Sequence, residues 1–449
     1  MSENTAKIKT TPTIRFIDLF CGIGGTRLGL EQACKELNIK SECILSSDKK
    51  KSAQKAYKDN FKEEILGDIK QINEKDIPDF DFLLAGFPCQ PFSRAGKKGG
   101  FNDTRGTMFF EIERILKEKK PKYVLLENVP EITTNNKGNT IRVIRENLEK
   151  IGYDVSIDIL DATDFGLAQA RKRAFIVGIM KNNDDKNKQD IVFTNIRKTK
   201  NKRYIKDIKE KDIKEEPTPY IKAILKNFSP DELAGAIISD KRRGTNTIHS
   251  WDFGLYGEVS EKEKEILETI LTEHRKRKYA DELNIKWRDG MPLNLTQVSR
   301  ALNIDENDTK SISELEKTLN ELVSKGYLMT RHPYCDDSLE ERLDLPVGWK
   351  LCTSRVAFEI HRILDDNDVC ITLTATDCNH IGIVDGKNIR KLNVRECLRL
   401  FGFPDTYTLN GVSKKEAYDL IGNSICVPVV SAVAKQMLII TSKNDENDN

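Results

Sequence analysis

The sequence predicts an α/β protein, a doubly wound and mostly parallel sheet, with a second, smaller α+β domain set into its chain. Three observations carry that expectation. Short apolar runs alternate with helical apolar spacing between residues 14 and 179, the rhythm of strands joined by crossover helices. Glycine turns and acidic residues recur where those runs end, on what would be one edge of the sheet. From about Lys181 the texture changes to Lys, Asn, Asp and Glu, and a compact pattern returns only past Thr374.

Residues 14–20 (IRFIDLF) form an apolar strand, and Cys21-Gly22-Ile23-Gly24-Gly25 follows directly. Leu28, Leu30, Ala33 and Leu37 then recur as on one face of a helix over 26–37. Strand, glycine turn and helix together bring backbone N–H groups close to a ligand. The spacing is G-x-G-G, and tight turns need glycine in any case, so this piece says little alone.

Residues 42–46 read as a strand ending at Asp48, a carboxylate suited to a ribose diol, and 52–60 as a helix. Residues 65–68 (ILGD) lead to a second strand-end carboxylate, Asp68. Residues 81–85 (DFLLA) make a buried strand that Gly86, Pro88 and Pro91 break into a fixed loop centred on Cys89. A thiol on such a turn suits covalent catalysis, because its thiolate is soft and strongly nucleophilic. A helix over 108–117, a strand over 123–126 running into Glu127-Asn128-Val129-Pro130, a helix over 139–151 and strands over 154–160 and 174–179 complete the alternation. Gly22, Asp48, Asp68, Cys89 and Glu127 thus all fall at strand C-termini. Unrelated polar residues would scatter to both edges, whereas a crevice gathers them on one.

The implied organisation is a disordered start (1–13), a first catalytic segment (14–184), a second domain (185–385), a segment that completes the first domain (386–442) and a disordered tail (443–449). Basic clusters punctuate the second domain at 197–200, 202–203, 241–243 and 274–278. A helix over 295–302, starting at Asn294 or Thr296, and another over 311–324, ending at Gly326, resemble a winged helix-turn-helix whose second helix would enter a major groove. The same pattern equally fits a helical hairpin that only packs. Residues 393–401 form a capped helix ending at Gly402-Phe403-Pro404, 417–421 lead to Gly422-Asn423-Ser424, and 427–438 form a final apolar helix.

The 449 residues carry a formal net charge of only +2, so any basic surface must be local. The ten cysteines include no C-x-x-C pair and read as reduced thiols in a cytoplasmic chain, not as a disulfide framework. His332 with Cys335, and Cys378 with His380, each offer half a zinc site without a matching second pair, so no metal is expected. No signal peptide and no apolar run of bilayer-spanning length is apparent, so no membrane is expected.

Six segments stand in order: DLFCGIGG (18–25), GFPCQPFS (86–93), ENV (127–129), QARKR (169–173), RECLRLFGFP (395–404) and GNSICVPV (422–429). Together they resemble the motifs of the cytosine-5 DNA methyltransferases of bacterial restriction-modification systems, over about residues 14–180 and 370–440. The resemblance implies a Rossmann-like fold that uses S-adenosyl-L-methionine, with 185–385 as target recognition domain. It assigns the cofactor to Phe20, Gly22, Ile23, Gly24, Gly25, Asp48, Asp68, Ile69, Pro88, Met108 and the backbone at Asn423, Ser424 and Ile425. Asp48 would take the ribose hydroxyls and Asp68 the adenine amino group. Cys89 would be the nucleophile and Glu127 the acid, Arg173 would hold the cytosine O2, and Arg171 would order the nucleophile loop. Gln90, Ser93 and Arg105 would belong to the loop that closes over DNA.

One position departs from the pattern: Lys49 stands where the family often has a large aromatic that sandwiches the adenine against Phe20. The partners implied are duplex DNA with a specific target and a cognate restriction endonuclease encoded nearby, not held as a stable subunit. The chain itself would be a monomer in the bacterial cytoplasm, at the nucleoid. Two competing readings are a tRNA cytosine methyltransferase on the same catalytic domain and a DNA-binding regulator whose helix pair carries the function. The long middle region argues against the first, and intact Cys89, Glu127, Arg171 and Arg173 against the second.

Overall fold

The computed structural model describes residues 13–88, 108–181, 191–196, 198–211, 213, 215–241, 244–334, 340–352 and 358–447, with the side chains of 191 and 442–447 left aside. The chain divides into two compact units, the second made of Ile213–Asp366 and His380–Lys391 and the first of the remainder.

The first unit is built on six strands, β1 (Thr13–Leu19), β2 (Lys40–Ser47), β3 (Phe82–Gly86), β4 (Tyr123–Asn128), β5 (Tyr153–Asp161) and β6 (Lys172–Met180), in the order β2-β1-β3-β4-β6-β5. The first four run parallel, joined by α1 (Gly25–Glu36), α2 (Lys51–Phe61) and α3 (Met108–Lys119), and α4 (Asn139–Ile151) leads on to β5. β3 and β4 lie at the centre and are apolar almost throughout, as strands covered on both faces must be. Ile17, Leu19, Leu83, Ala85, Val124 and Leu126 pack there with Phe109, Ile112 and Leu116 of α3. The sheet is mixed, because β6 is antiparallel to both β4 and β5. The ten residues between β5 and β6 are too few for a crossover helix, so the chain must reverse.

Asp68 is not at the end of a further strand. Only Leu66 bridges to Ser47, in parallel, since the apolar stretch between Glu64 and Gly67 is too short to extend the ladder. Asp68 instead caps a 3-10 turn at Ile69–Gln71, its carboxylate accepting from the Lys70 amide at 3.1 Å.

The C-terminal segment closes this unit. A helix at Val427–Asn447 packs along α1, and a Cβ on Gly29 would lie 2.5 Å from Val430 Cβ, so only glycine permits the approach. The helix continues through most of the polar tail expected to be disordered, since no Gly or Pro interrupts it. Contrary to the sequence expectation, the 28 residues Lys414–Thr441 are long and apolar enough to cross a membrane, yet 61% of their most apolar window is buried within the protein.

Residues 191–211 also belong to the first unit, so the second begins later than the change in composition suggests. The Ile205 amide donates to Asp368 O (3.0 Å), the Glu210 amide to Glu396 Oε1 (2.9 Å) and Asn393 Nδ2 to Glu210 Oε2 (2.7 Å).

In the second unit, short strands including Arg362–Leu364, Ile381–Asp385 and Asn388–Lys391 form a five-stranded sheet. A separate core gathers Leu267 and Ile270 of the helix Glu261–Glu273 and Leu315, Leu319 and Leu322 of the helix Thr309–Lys325. Trp349 and Leu351 reach it from an antiparallel ribbon, Leu328–Arg331 with Gly348–Leu351. The shorter helix Leu295–Ala301 opens at Asn294, whose side chain and that of Gln297 cap each other's backbone. The longer one ends at Gly326 in the left-handed region (φ 94).

Candidate active site

On leaving β1 the chain turns sharply: Phe20 (φ 55), Gly22 (φ 53) and Gly24 (φ 77) all occupy the left-handed region. For Phe20 this costs about 1–2 kcal/mol, strain that the surroundings must hold. The Gly22 amide donates to Asp48 Oδ2 (2.9 Å), the Cys21 amide to Ser47 O (3.0 Å) and the Tyr407 hydroxyl to Ile23 O (2.7 Å). Thr26 donates its hydroxyl to the buried carboxyl of Asp18, 2.8 Å from Oδ1. Burial pushes that carboxyl up to about 7, against the Thr26 hydrogen bond and the Arg27 charge. These bonds tie the turn to its neighbours.

A cavity of about 790 Å³ opens above it. Of the residues assigned to the cofactor in sequence, Phe20, Gly22, Asp48, Asp68, Ile69, Pro88, Met108 and Asn423 line it, and so do Ser47, Lys49, Lys50, Ala53, Gly67, Lys70, Gly86 and Leu420. A Cβ on Gly22 would meet no atom within 4 Å, so this glycine leaves a cradle open at the turn. The Asp48 carboxylate is oriented by the Gly22 amide and by the Lys50 amide at 2.8 Å. An aromatic ring, two carboxylates and apolar side chains match the needs of a nucleoside with a free ribose diol. Ile23, Gly24, Gly25, Ser424 and Ile425 do not line the cavity. They hold its wall: a Cβ on Gly25 would come 2.9 Å from Ile425 Cγ2, and one on Gly24 would collide with Phe61.

Glu127 does not line the cavity itself but stands next to Gly86, which does. It is the cross-strand partner of Gly86, where a Cβ would lie 3.6 Å from Glu127 Oε2. Arg173 Nε pairs with Glu127 Oε1 at 3.1 Å, both side chains being nearly buried. Burial raises the Glu127 carboxyl above its ordinary value, and the cations of Arg173 and Arg171 oppose that rise without cancelling it. Cys89, Gln90, Ser93 and Arg105 lie outside the described residues. The chain leading to Cys89 is fixed as far as Phe87, whose carbonyl accepts from Asn128 Nδ2 at 2.8 Å.

Arg171 is buried and spends its guanidinium on carbonyls. Nη1 donates to Leu373 O (2.7 Å) and Nη2 to Ser424 O (2.8 Å) and Gly422 O (3.3 Å), with the Phe401 ring 4.8 Å away. Its described contacts thus pin the loop that carries Asn423. Burial, then the charge of Arg173, holds its pKa down to about 10. Gln169 works alongside, accepting from the Leu373 amide and donating to Leu400 O, both at 3.0 Å.

Residues 14–438 match the family of C-5 cytosine-specific DNA methylases. The chain belongs to that family. The methylase is 44% identical to the type II methyltransferase M.NlaIV of Neisseria lactamica, across 95% of this chain and 99% of that protein. It is 38% identical to M.BanI of Aneurinibacillus aneurinilyticus, across 94% of this chain and 95% of the relative. Among solved structures the Dnmt2 methyltransferase of S. pombe superposes with a TM-score of 0.53 at 18% identity, covering 95% of the methylase and 99% of that chain, a likeness of fold.

Several residues that shape the methylase site were not marked in sequence. Lys50 forms an ion pair with Asp419, joining the Asp48 loop to the C-terminal segment. Tyr407 reaches Ile23 from a distant part of the chain, a contact no local pattern announces. Asn128 and Gln169 lay inside recognised motifs, but only the fold gives them the task of tying one motif to another.

Proposed function

We propose that this DNA (cytosine-5-)-methyltransferase is the type II methyltransferase of a restriction-modification system, and that it transfers a methyl group to C5 of a cytosine flipped out of duplex DNA. The observation that carries the chemistry is the Glu127–Arg173 pair beside Gly86, a residue that lines the nucleoside-sized cavity. The relatives named type II methyltransferases align over both units, which favours the system-level part of the reading.

Cytosine C5 is too weak a nucleophile to take a methyl group directly. Addition of the Cys89 thiolate to C6 breaks the ring's aromaticity and makes C5 enamine-like. Negative charge then builds on the ring, and the raised pKa of Glu127 lets it hold a proton for N3. Arg173, whose Nε lies 3.1 Å from Glu127 Oε1, would hold O2. S-adenosyl-L-methionine, when bound, supplies the electrophilic methyl group. Asp48, Asp68 and Phe20 line the cavity and would hold the cofactor, Asp48 at its ribose, Asp68 at the adenine amino group and Phe20 against the base. Loss of the C5 proton and expulsion of Cys89 restore the product ring. A base stacked in a duplex is out of reach of these groups, hence the flipping.

The second unit is the target recognition domain, and its two helices and ribbon have the element order of a winged helix-turn-helix. The enzyme works as a monomer in the bacterial cytoplasm, and its cognate endonuclease is not a stable subunit. Transfer of labelled methyl to duplex DNA, and not to tRNA, is the expected result of a direct assay. Preferential labelling of tRNA would replace this reading.

Lys49 lines the cavity without offering a ring. Substituting Lys49→Trp should tighten binding of S-adenosyl-L-methionine by roughly threefold to tenfold, since an aromatic pair contributes about 0.5–1.5 kcal/mol. Calorimetry showing no gain would refute the stacking explanation.

A further inference from the structure

The second unit distributes its cations unevenly, and the imbalance selects one of its faces. On the antiparallel ribbon Lys350 stands opposite Met329, and Gly348 opposite Arg331. Cross-strand partners share a face. Leu328, Trp349 and Leu351 are buried on the core side, so Met329, Arg331 and Lys350 share the outer side, where Met329 is 39% exposed. Arg288 and Arg331 both lie against Tyr334, their guanidinium carbons 5.3 and 4.6 Å from the ring centre. Arg275 donates to the Lys241 carbonyl and accepts the indole N–H of half-exposed Trp287 on its own carbonyl at 3.2 Å. Burial, then the charges of Arg331, Lys241 and Arg288, hold the Lys350 ammonium below the usual lysine range. Glu341 pairs with Arg331 (2.5 Å) and Asp289 with Arg275 (3.2 Å), whereas Lys241 and Lys350 have no acidic partner among the described residues.

The helix Thr309–Lys325 presents the opposite character. Asp305, Glu306 and Asp308 lie exposed just before it, and Glu314, Glu316 and Glu321 share its solvent side with Lys310 and Lys317. Lys317 faces Glu321 at 3.9 Å, and Lys325 is taken by Glu263 at 2.6 Å. A duplex carries a negative charge about every 1.7 Å, so carboxylates at the leading end of a groove-binding helix would oppose docking.

We propose that the second unit meets the phosphates of duplex DNA through the outer face of the ribbon, with Lys241, Arg288, Arg331 and Lys350 as contacts, and that the helix Thr309–Lys325 packs without entering a groove. This rests on the assignment of the chain as a DNA methyltransferase. Lys350 crowds against the charges of Arg331, Lys241 and Arg288, and a polyanion relieves that repulsion. Phosphate contacts of this kind strengthen binding to every sequence and leave base reading to other side chains.

The test compares two full-length variants by duplex binding across a salt series, with binding of S-adenosyl-L-methionine and circular dichroism as controls on folding. The ribbon variant K241Q/R288Q/K350Q should bind roughly tenfold or more weakly at fixed low salt, on target and unrelated duplexes alike. The slope of log K against log salt should shrink by about 1 for each contact removed. The helix variant K310Q/K317Q should stay within about twofold of the parent. Unchanged binding by the ribbon variant, or a loss confined to the helix variant, would overturn the proposal. Lys241→Gln alone, at an exposed position, should carry about one unit of the slope and decides the matter if the triple variant does not fold. A parent chain that transfers methyl to tRNA and not to duplex would overturn the methyltransferase assignment itself, independently of the ribbon.

Discussion

Replacing Cys89 by serine should reduce methyl transfer to background, a loss on the order of 10⁴-fold or more, the scale seen when a covalent nucleophile is removed. Serine keeps the size of the side chain and loses the accessible thiolate. An alkoxide at neutral pH is too rare to add to the pyrimidine, so the ring never gains the electron density that C5 needs. Duplex binding should persist, because the cations of the second unit and the cavity are untouched. Gel retardation alongside a methyl-incorporation assay separates the two. Duplex bearing 5-fluorocytosine at the target should be trapped by the parent enzyme as a covalent adduct stable to denaturation, since fluorine cannot leave as a cation. C89S should form none. Turnover surviving in C89S would remove the nucleophile from position 89.

Glu127→Gln should cost about 10²–10⁴ in the rate of methyl transfer, the contribution of a positioned general acid. The amide keeps the shape and a hydrogen bond to the ring but cannot yield a proton. The pH dependence supplies a sharper signature. Burial raises the pKa of Glu127, so its protonated form persists further towards neutrality than that of a free carboxylic acid. In the parent, the part of the rate that depends on this proton should fall as pH rises through the raised value. E127Q should lack that descending limb. Substitution also leaves Arg173 without its carboxylate at 3.1 Å, so cofactor affinity must be measured beside the rate to separate lost chemistry from a disturbed site. An E127Q enzyme with parental turnover would strip Glu127 of the role.

The parts legible in the sequence are those whose cause is local. The run into Phe20, the glycines at 22, 24 and 25 and the spacing of Leu28, Leu30 and Ala33 specify strand, turn and helix within one stretch, and the structure has all three there. The two helices at Asn294 and before Gly326 were bounded by their own capping residues. Misreadings came where distant contacts decide. Asp68 follows an apolar pair that resembles a strand end, but there is too little ladder to hold it in the sheet. Polar residues 191–211 read as part of the second domain, yet Asp368, Asn393 and Glu396, well over a hundred residues on, hold them to the first. Arg171 was marked as functional from its motif, while its carbonyl partners at 373, 422 and 424 became visible only once the chain had closed.

That closure has a consequence for synthesis. Leu420 and Asn423 complete a cavity whose opposite wall, at Phe20 and Gly22, leaves the ribosome some four hundred residues earlier. A nascent or truncated chain that stops before them lacks part of the cavity lining and the loop Arg171 pins, so the capacity to mark DNA waits on this late segment.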